Sequence, residues 1–197
     1  MKRVAVMGGS CTGKTTVSRR LAEMLGVPHI EIDALHHDSG WNEAPAEVLQ
    51  ARVQAAFDAA PNGWVTDGNY RSKLGNLVLE QADTLVFLDP PFARTVGRSL
   101  RRTLGRTITR EELWNGNREQ LRHFFTRYWI PWWVLQTHRH YSREIPKRAA
   151  EQPHLEVVHL RSDAELEDFL QSIQATELMS GSSNGSERQK TPPLAET

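Results

Sequence analysis

The segment Gly8-Gly9-Ser10-Cys11-Thr12-Gly13-Lys14-Thr15 fits the pattern G-x-x-x-x-G-K-[ST]. Glycines at these positions let successive backbone N–H groups turn inward around an anion, with the positive end of a helix behind them. Gly8, Gly9, Ser10, Cys11, Thr12, Gly13, Lys14, Thr15 and Thr16 are therefore expected to cradle the phosphates of ATP. In that chemistry Lys14 reaches the β- and γ-phosphates as a catalytic charge, and the Thr15 hydroxyl sits on Mg²⁺. The expected cofactors are ATP and Mg²⁺.

Other residues that could do chemistry stand just after apolar runs. Asp67 follows Trp64-Val65-Thr66 and is expected to hold the metal with Thr15. The alternative is a turn-forming aspartate before Gly68. Asp33 follows His29 to Ile32, and is expected to take the proton of an acceptor hydroxyl or to bind an acceptor group, or else to cap the next segment. Asp89 follows Thr84 to Leu88. Arg98, Arg102, Arg106 and Arg110 recur every four residues, one stripe on a helix. A stripe of that kind is either a solvated face or a source of charge at the site. His36 and His37 lie near Asp33 and Asp38, in a spacing that fits no known metal-ligand pattern.

The elements that must position these groups alternate. Arg3 to Met7 reads as a buried strand, and Val17, Leu21, Met24 and Leu25 share one face of the helix after the loop. Further strands are expected at His29–Ile32, Trp64–Thr66, Thr84–Leu88 and Leu155–Leu160. Helices are expected near Pro45–Ala60, around Leu74–Val78, over Phe92–Leu104 and from Ser162 through Ile173, and Ala34 to Trp41 reads as a loop. Strands alternating with helices imply an α/β fold with a parallel sheet covered on both faces. Ligands of such sheets bind beyond the carboxyl ends of the strands, where the loop and the three aspartates fall. From Thr107 to Arg148 the chain is helical in pattern and rich in arginine and aromatics, with Leu121, Phe124, Phe125, Tyr128, Trp132 and Leu135 on one stripe and Trp129 and Trp133 off it. The expected division is a domain over 1–175, with a helical lid near 105–148, and a disordered tail over 176–197 that is poor in apolar residues.

Lys and Arg together number 24, as do Asp and Glu, so the net charge is zero. That speaks against a broad nucleic-acid or membrane surface. The lone Cys11 allows no internal disulfide, and no apolar run has the length of a membrane span. The cytoplasm is the expected compartment.

Asp67-Gly68-Asn69-Tyr70-Arg71 is similar to the D-G-F-P-R segment of adenylate kinases, so the chain resembles the nucleoside-monophosphate-kinase group of P-loop kinases. Ile30 to Trp41, Trp64 to Tyr70, Ala82 to Pro90, Arg98 to Arg106 and Gly116 to Glu119 also look like the small adenylate-kinase-like proteins labelled for DNA topology modulation. The resemblance implies a P-loop three-layer sandwich with a sheet ordered 2-3-1-4-5, ATP as donor and a lid between the fourth and fifth strands. It implies that Arg71 grips an acceptor anion beside Tyr70 and Asp33, and that arginines such as Arg98 and Arg102, with Arg118 and Arg122 of the lid, neutralise the transferring phosphoryl. Asn69-Tyr70 stands where adenylate kinases have Phe-Pro, which reshapes the acceptor pocket, and the lid lacks a zinc-type cysteine pattern. A small-molecule acceptor of the shikimate or gluconate kind is therefore as consistent as a nucleotide. The function implied is an ATP-dependent phosphotransferase. The alternatives are an ATP-dependent binding or regulatory protein and a nucleic-acid-associated factor.

Overall fold

The computed structural model describes the backbone of residues 1–109 and 130–184, and the side chains of residues 1–99, 101 and 138–176. In chain order the elements are β1 (Arg3–Gly8), α1 (Lys14–Leu25), β2 (His29–Glu31), α2 (Ile32–His36), β3 (His37–Asp38), β4 (Asn42–Glu43), α3 (Ala46–Asp58), β5 (Trp64–Asp67), α4 (Arg71–Leu74), α5 (Leu77–Gln81), β6 (Thr84–Leu88), α6 (Phe92–Thr109), α7 (Ile130–Ala150), β7 (Glu156–Leu160) and α8 (Asp163–Asn184). Five strands form one parallel sheet in the order β2-β5-β1-β6-β7. Counted among themselves these strands run 2-3-1-4-5, the order expected. β3 and β4 make a separate antiparallel pair.

Alternation along β1 explains the two apolar layers. Val4 and Val6 point to one face and join Val65, Val86 and Leu88 under α1 and α8, through Val17, Leu21, Leu170 and Ile173. Ala5 and Met7 point to the other face and join Leu85 and Phe87 under α3, α5 and α7, through Leu49, Val53, Leu79 and Ile145. Both faces are dry, so the strands read as nearly continuous apolar runs. On the second face Phe57 lies flat on Trp64, centroids 4.0 Å apart, which seats α3 against β5.

Some elements differ from their expected form. Ala34 to Trp41 is not simply a loop: Ile32 to His36 form α2, and His37-Asp38 pairs with Asn42-Glu43. Ile32 and His36 are both buried, so the histidine counts with the core rather than with the polar residues that suggested a loop. Asp33 therefore sits in the first turn of α2, not at a strand end. α6 continues past Leu104 to Thr109, because Gly105 weakens a helix interior without ending it and no proline lies between Gly105 and Thr109. α8 runs to Asn184, past the expected start of the tail at 176: Ala175, Glu177, Leu178 and Met179 are good helix formers. Residues 185–197 lie outside the described residues, as do 110–129, which hold Arg110, Arg118, Arg122 and most of the aromatic stripe. Ile145 of α7, within the expected lid span, belongs to the core. Among the described residues no helix is long and apolar enough to cross a membrane.

Leu170 is 1% exposed and joins α8 to the sheet. Leu170→Ala should lower unfolding free energy by about 2–5 kcal/mol, read from urea denaturation.

His36 is 3% exposed and packs on Tyr70, centroids 4.6 Å apart. Burial, then the nearby Lys73 and His37, push its pKa down against a weaker upward pull from Glu43. The folded state therefore binds this proton less readily than the unfolded one. Stability is complete above the ordinary histidine value of about 6.5 and falls as the pH drops below it towards the folded-state pKa. The urea midpoint should accordingly fall between pH 7.5 and 5.5. His36→Phe, which keeps a ring and removes the proton site, should shrink that fall.

Candidate active site

The glycine loop joins β1 to α1 at the carboxyl edge of the sheet. Cys11 and Gly13 have φ of 63° and 98°, the left-handed region, which turns neighbouring N–H groups to one side. For a residue with a side chain, as at Cys11, that conformation is uncommon and characteristic of functional turns. Thr12 is buried, and its hydroxyl donates to the Gly9 carbonyl at 3.0 Å, closing the loop on itself. A Cβ at Gly8 would lie 2.5 Å from the Leu88 carbonyl oxygen, so β6 abuts the loop and only glycine fits there. Ser10 and Thr16 are not buried, and the Ser10 hydroxyl lies 3.7 Å from the Cys11 sulfur. Lys14 folds back over the loop, its Nζ donating to the carbonyls of Gly8 at 3.1 Å and Gly9 at 2.8 Å. The Lys14 ammonium is thus held across the mouth of the loop, where an anion would meet it.

Asp67 is 4% exposed and ends β5, which pairs with β1. The Thr15 hydroxyl donates to Asp67 Oδ2 at 2.7 Å. The two residues expected to share a metal are therefore in contact across 52 positions of sequence. A hydroxyl and a carboxylate at the mouth of an anion loop form an all-oxygen donor set that suits Mg²⁺. On the other carboxylate oxygen, Oδ1, His29 Nε2 donates at 3.2 Å. Asn69 then grips the end of β1: its side-chain amide donates to the Gly8 carbonyl, and its Oδ1 lies 3.5 Å from the Gly8 nitrogen.

Asp33, Tyr70 and Arg71 lie on the β2 side of this centre. The Tyr70 hydroxyl donates to Asp33 Oδ1. Burial, and then the Asp33 carboxylate, hold the phenol well above its ordinary pKa, so it stays protonated and donates. Behind Tyr70 stands a row of rings: His36, then His37 at 4.5 Å, then Trp41 at 5.4 Å from His37. Among the described residues no group of three or more His, Cys, Asp or Glu side chains is arranged to hold a metal ion, and His36 and His37 pack as rings. Arg71 is exposed and donates to Glu144 Oε1 at 2.6 Å, so its guanidinium is already neutralised by α7.

Arg98 reaches the loop from α6, donating to the Thr12 carbonyl at 3.1 Å and to Asp163 at 2.9 Å. Arg94 shares Asp163 at 3.1 Å. Arg102 and Arg106 follow in α6, with side chains outside the described residues.

The sequence reading named Asp89 without a role and missed the partners it has. Ser142 donates to Asp89 Oδ1 at 2.6 Å, His159 Nε2 donates to Oδ2 at 3.1 Å, and His138 donates to the Pro90 carbonyl at 2.8 Å. A Cβ at Gly9 would come 3.9 Å from the His138 Cα, so α7 passes directly over the loop. Buried Arg148 on the same helix donates to the Gly75 carbonyl at 2.7 Å. His29, Ser142, Glu144 and Asp163 carry no local motif; only their contacts across the sheet edge mark them. Asn69 lay inside a motif already quoted and was the one of these that sequence could have singled out.

No protein-family profile matches the chain. An adenylate kinase from Mycobacterium sp. (strain MCS) is 32% identical over 101 residues, 42% of this chain and 52% of the relative, so the chain spans about half the length of that relative. Shikimate kinase from Bacteroides thetaiotaomicron superposes with a TM-score of 0.50 at 14% identity, covering 91% of this chain and 98% of that one. Shikimate kinase from Acinetobacter baumannii, in complex with shikimate, gives 0.49 at 18% identity over 91% and 94%. The narrower resemblance to the proteins labelled for DNA topology modulation rests on its sequence segments alone. The chain carries the fold of the P-loop kinases, a five-stranded parallel sheet between helical layers with the glycine loop at its carboxyl edge.

Proposed function

We propose that the chain is an ATP-dependent phosphotransferase acting on a nucleotide or other small-molecule acceptor. The observation that carries this reading is the hydrogen bond from Thr15 to Asp67 at 2.7 Å beside Lys14, at the mouth of the glycine loop. The likeness of part of the chain to an adenylate kinase supports it.

Phosphoryl transfer asks little covalent chemistry of a protein and much positioning and charge neutralisation. The loop N–H groups and Lys14 would hold the triphosphate, Lys14 exchanging the carbonyls of Gly8 and Gly9 for phosphate oxygens. Thr15 and Asp67 would hold Mg²⁺, which supplies Lewis-acid neutralisation of phosphate oxygens when bound. Arg98, tied to the loop backbone at Thr12, adds a positive charge close to it. Arg102 belongs to the same proposal by its place one turn further along α6.

Asp33 would meet the acceptor. The Tyr70 hydroxyl occupies one carboxylate oxygen and leaves the other to accept a hydrogen bond or a proton from an acceptor hydroxyl. Arg71 would take an anionic group of the acceptor in place of Glu144. α7 over the loop would help exclude water, the competing acceptor.

ADP release measured with a panel of nucleoside monophosphates, sugar acids and small alcohols should identify an acceptor that stimulates turnover. Lys14→Ala should lower that turnover by about 100-fold or more, the usual cost of removing a charge-stabilising group. Undiminished turnover in this variant would overturn the enzyme reading.

With the acceptor in hand, Asp33→Asn should leave ATP affinity close to that of the unaltered chain. It should lower turnover by ~10²–10⁴, the range of general-base assistance. A loss confined to acceptor affinity would make Asp33 a binding residue and not a base.

A further inference from the structure

His29 has no place in the glycine-loop pattern or in the Asp-Gly-Asn-Tyr segment, yet it touches the centre of the site. It opens β2, the edge strand, and in the parallel register it lies opposite Val65 while Glu31 lies opposite Asp67. Residues two apart on a strand share a face, so His29 projects to the face that carries Val65 and Asp67, the face covered by α1. From there its imidazole reaches along the strand to Asp67 Oδ1 at 3.2 Å, with its side chain 14% exposed. Thr15, at the start of α1, reaches Asp67 Oδ2 at 2.7 Å from the other side.

Two donors do what one cannot. The terminal torsion of an aspartate is broad and roughly two-fold, so a single hydrogen bond leaves the carboxylate free to rotate about its own bond. A second donor on the opposite oxygen pins that rotation. A carboxylate that is 4% exposed also has little water to satisfy its remaining lone pairs. His29 therefore fixes which oxygen faces Thr15 and keeps Oδ1 engaged away from it.

We propose that His29 is a positioning residue, which orients the Asp67 carboxylate for the metal that accompanies the nucleotide. The proposal rests on the reading above that Thr15 and Asp67 hold Mg²⁺. It assigns a role to a side chain that neither the motifs nor the resemblance marks, and it makes the edge strand β2 part of the nucleotide side of the site as well as the acceptor side.

The test is ATP binding by calorimetry, first in EDTA and then across a Mg²⁺ titration, for the unaltered chain and for His29→Phe, His29→Leu, His29→Gln and Asp67→Asn. Loss of an outer partner of a metal-binding group typically costs about 10–100-fold in metal affinity, so the Phe and Leu variants should need that much more Mg²⁺ to tighten ATP binding. Their ATP affinity in EDTA should match the unaltered chain, and His29→Gln, which restores an N–H donor, should recover most of the Mg²⁺ response. Two donor-less variants are used so that one failing to fold leaves the comparison intact. The proposal is overturned if the donor-less variants respond to Mg²⁺ like the unaltered chain while Asp67→Asn does not. It is equally overturned if they lose affinity in EDTA and in Mg²⁺ alike, or if glutamine restores nothing. If Asp67→Asn itself leaves the Mg²⁺ response unchanged, the metal reading falls and this inference with it.

Discussion

Everything at the site depends on the contact between Thr15 and Asp67, and that contact depends on which strand lies beside β1. Thr15 is the second residue of the helix that follows the glycine loop, and Asp67 ends β5. β5 pairs in parallel with β1, Val6 opposite Asp67, so the acid and the loop come out at the same edge. If the chain inserted another strand between them, neighbouring strands being about 4.8 Å apart, the side chains could no longer meet. A one-residue slip would send Val4 and Val6 to the wrong layer and Asp67 away from Thr15.

α7 is the second organising element. Along its length it passes over the loop at His138, whose imidazole donates to the Pro90 carbonyl, and meets Asp89 after β6 through Ser142, the segment after β5 through Glu144, and the start of α5 through Arg148. The first three of these polar contacts lie just beyond strand ends, while Ile145 and Ala149 of the same helix reach the core. One side of the helix is therefore held by apolar burial and another spans the site. Its coupling to Arg71 bears on acceptor chemistry, because an acceptor anion must compete with a carboxylate already within hydrogen-bond distance.

The acceptor side is built differently from the phosphate side. Around the loop, backbone groups and small side chains dominate. Around Asp33, rings do: Tyr70, His36 and His37 pack at tilted angles, Trp41 meets His37 edge-on, and the Tyr70 hydroxyl donates to the carboxylate. Burial pushes the His36 pKa down and the Tyr70 pKa up, which favours the neutral form of both rings. Trp41 has a φ of 61°, so the hairpin that presents it holds a strained backbone.

Sequence determined the local parts whose chemistry is local. The glycine loop was legible because its N–H groups, lysine and threonine are contiguous, and the strands were legible because two dry faces leave long apolar runs such as Arg3 to Met7 and Thr84 to Leu88. The 2-3-1-4-5 order came from the resemblance carried by the loop and by Asp67 to Arg71. Beyond the pairing of Thr15 with Asp67, sequence spacing did not supply the partners reached across the sheet edge. His29 on Asp67, Tyr70 on Asp33, Glu144 on Arg71 and Ser142 on Asp89 join residues 38, 37, 73 and 53 positions apart. Such pairs leave no periodicity behind, because a hydrogen bond between side chains of different elements constrains neither chain's local pattern. α2 was misjudged for the same reason: a histidine counts as polar until the fold buries it. Local rules thus named the groups that could act, and the register of β2, β5, β1 and β6, together with the path of α7, decided which of them meet.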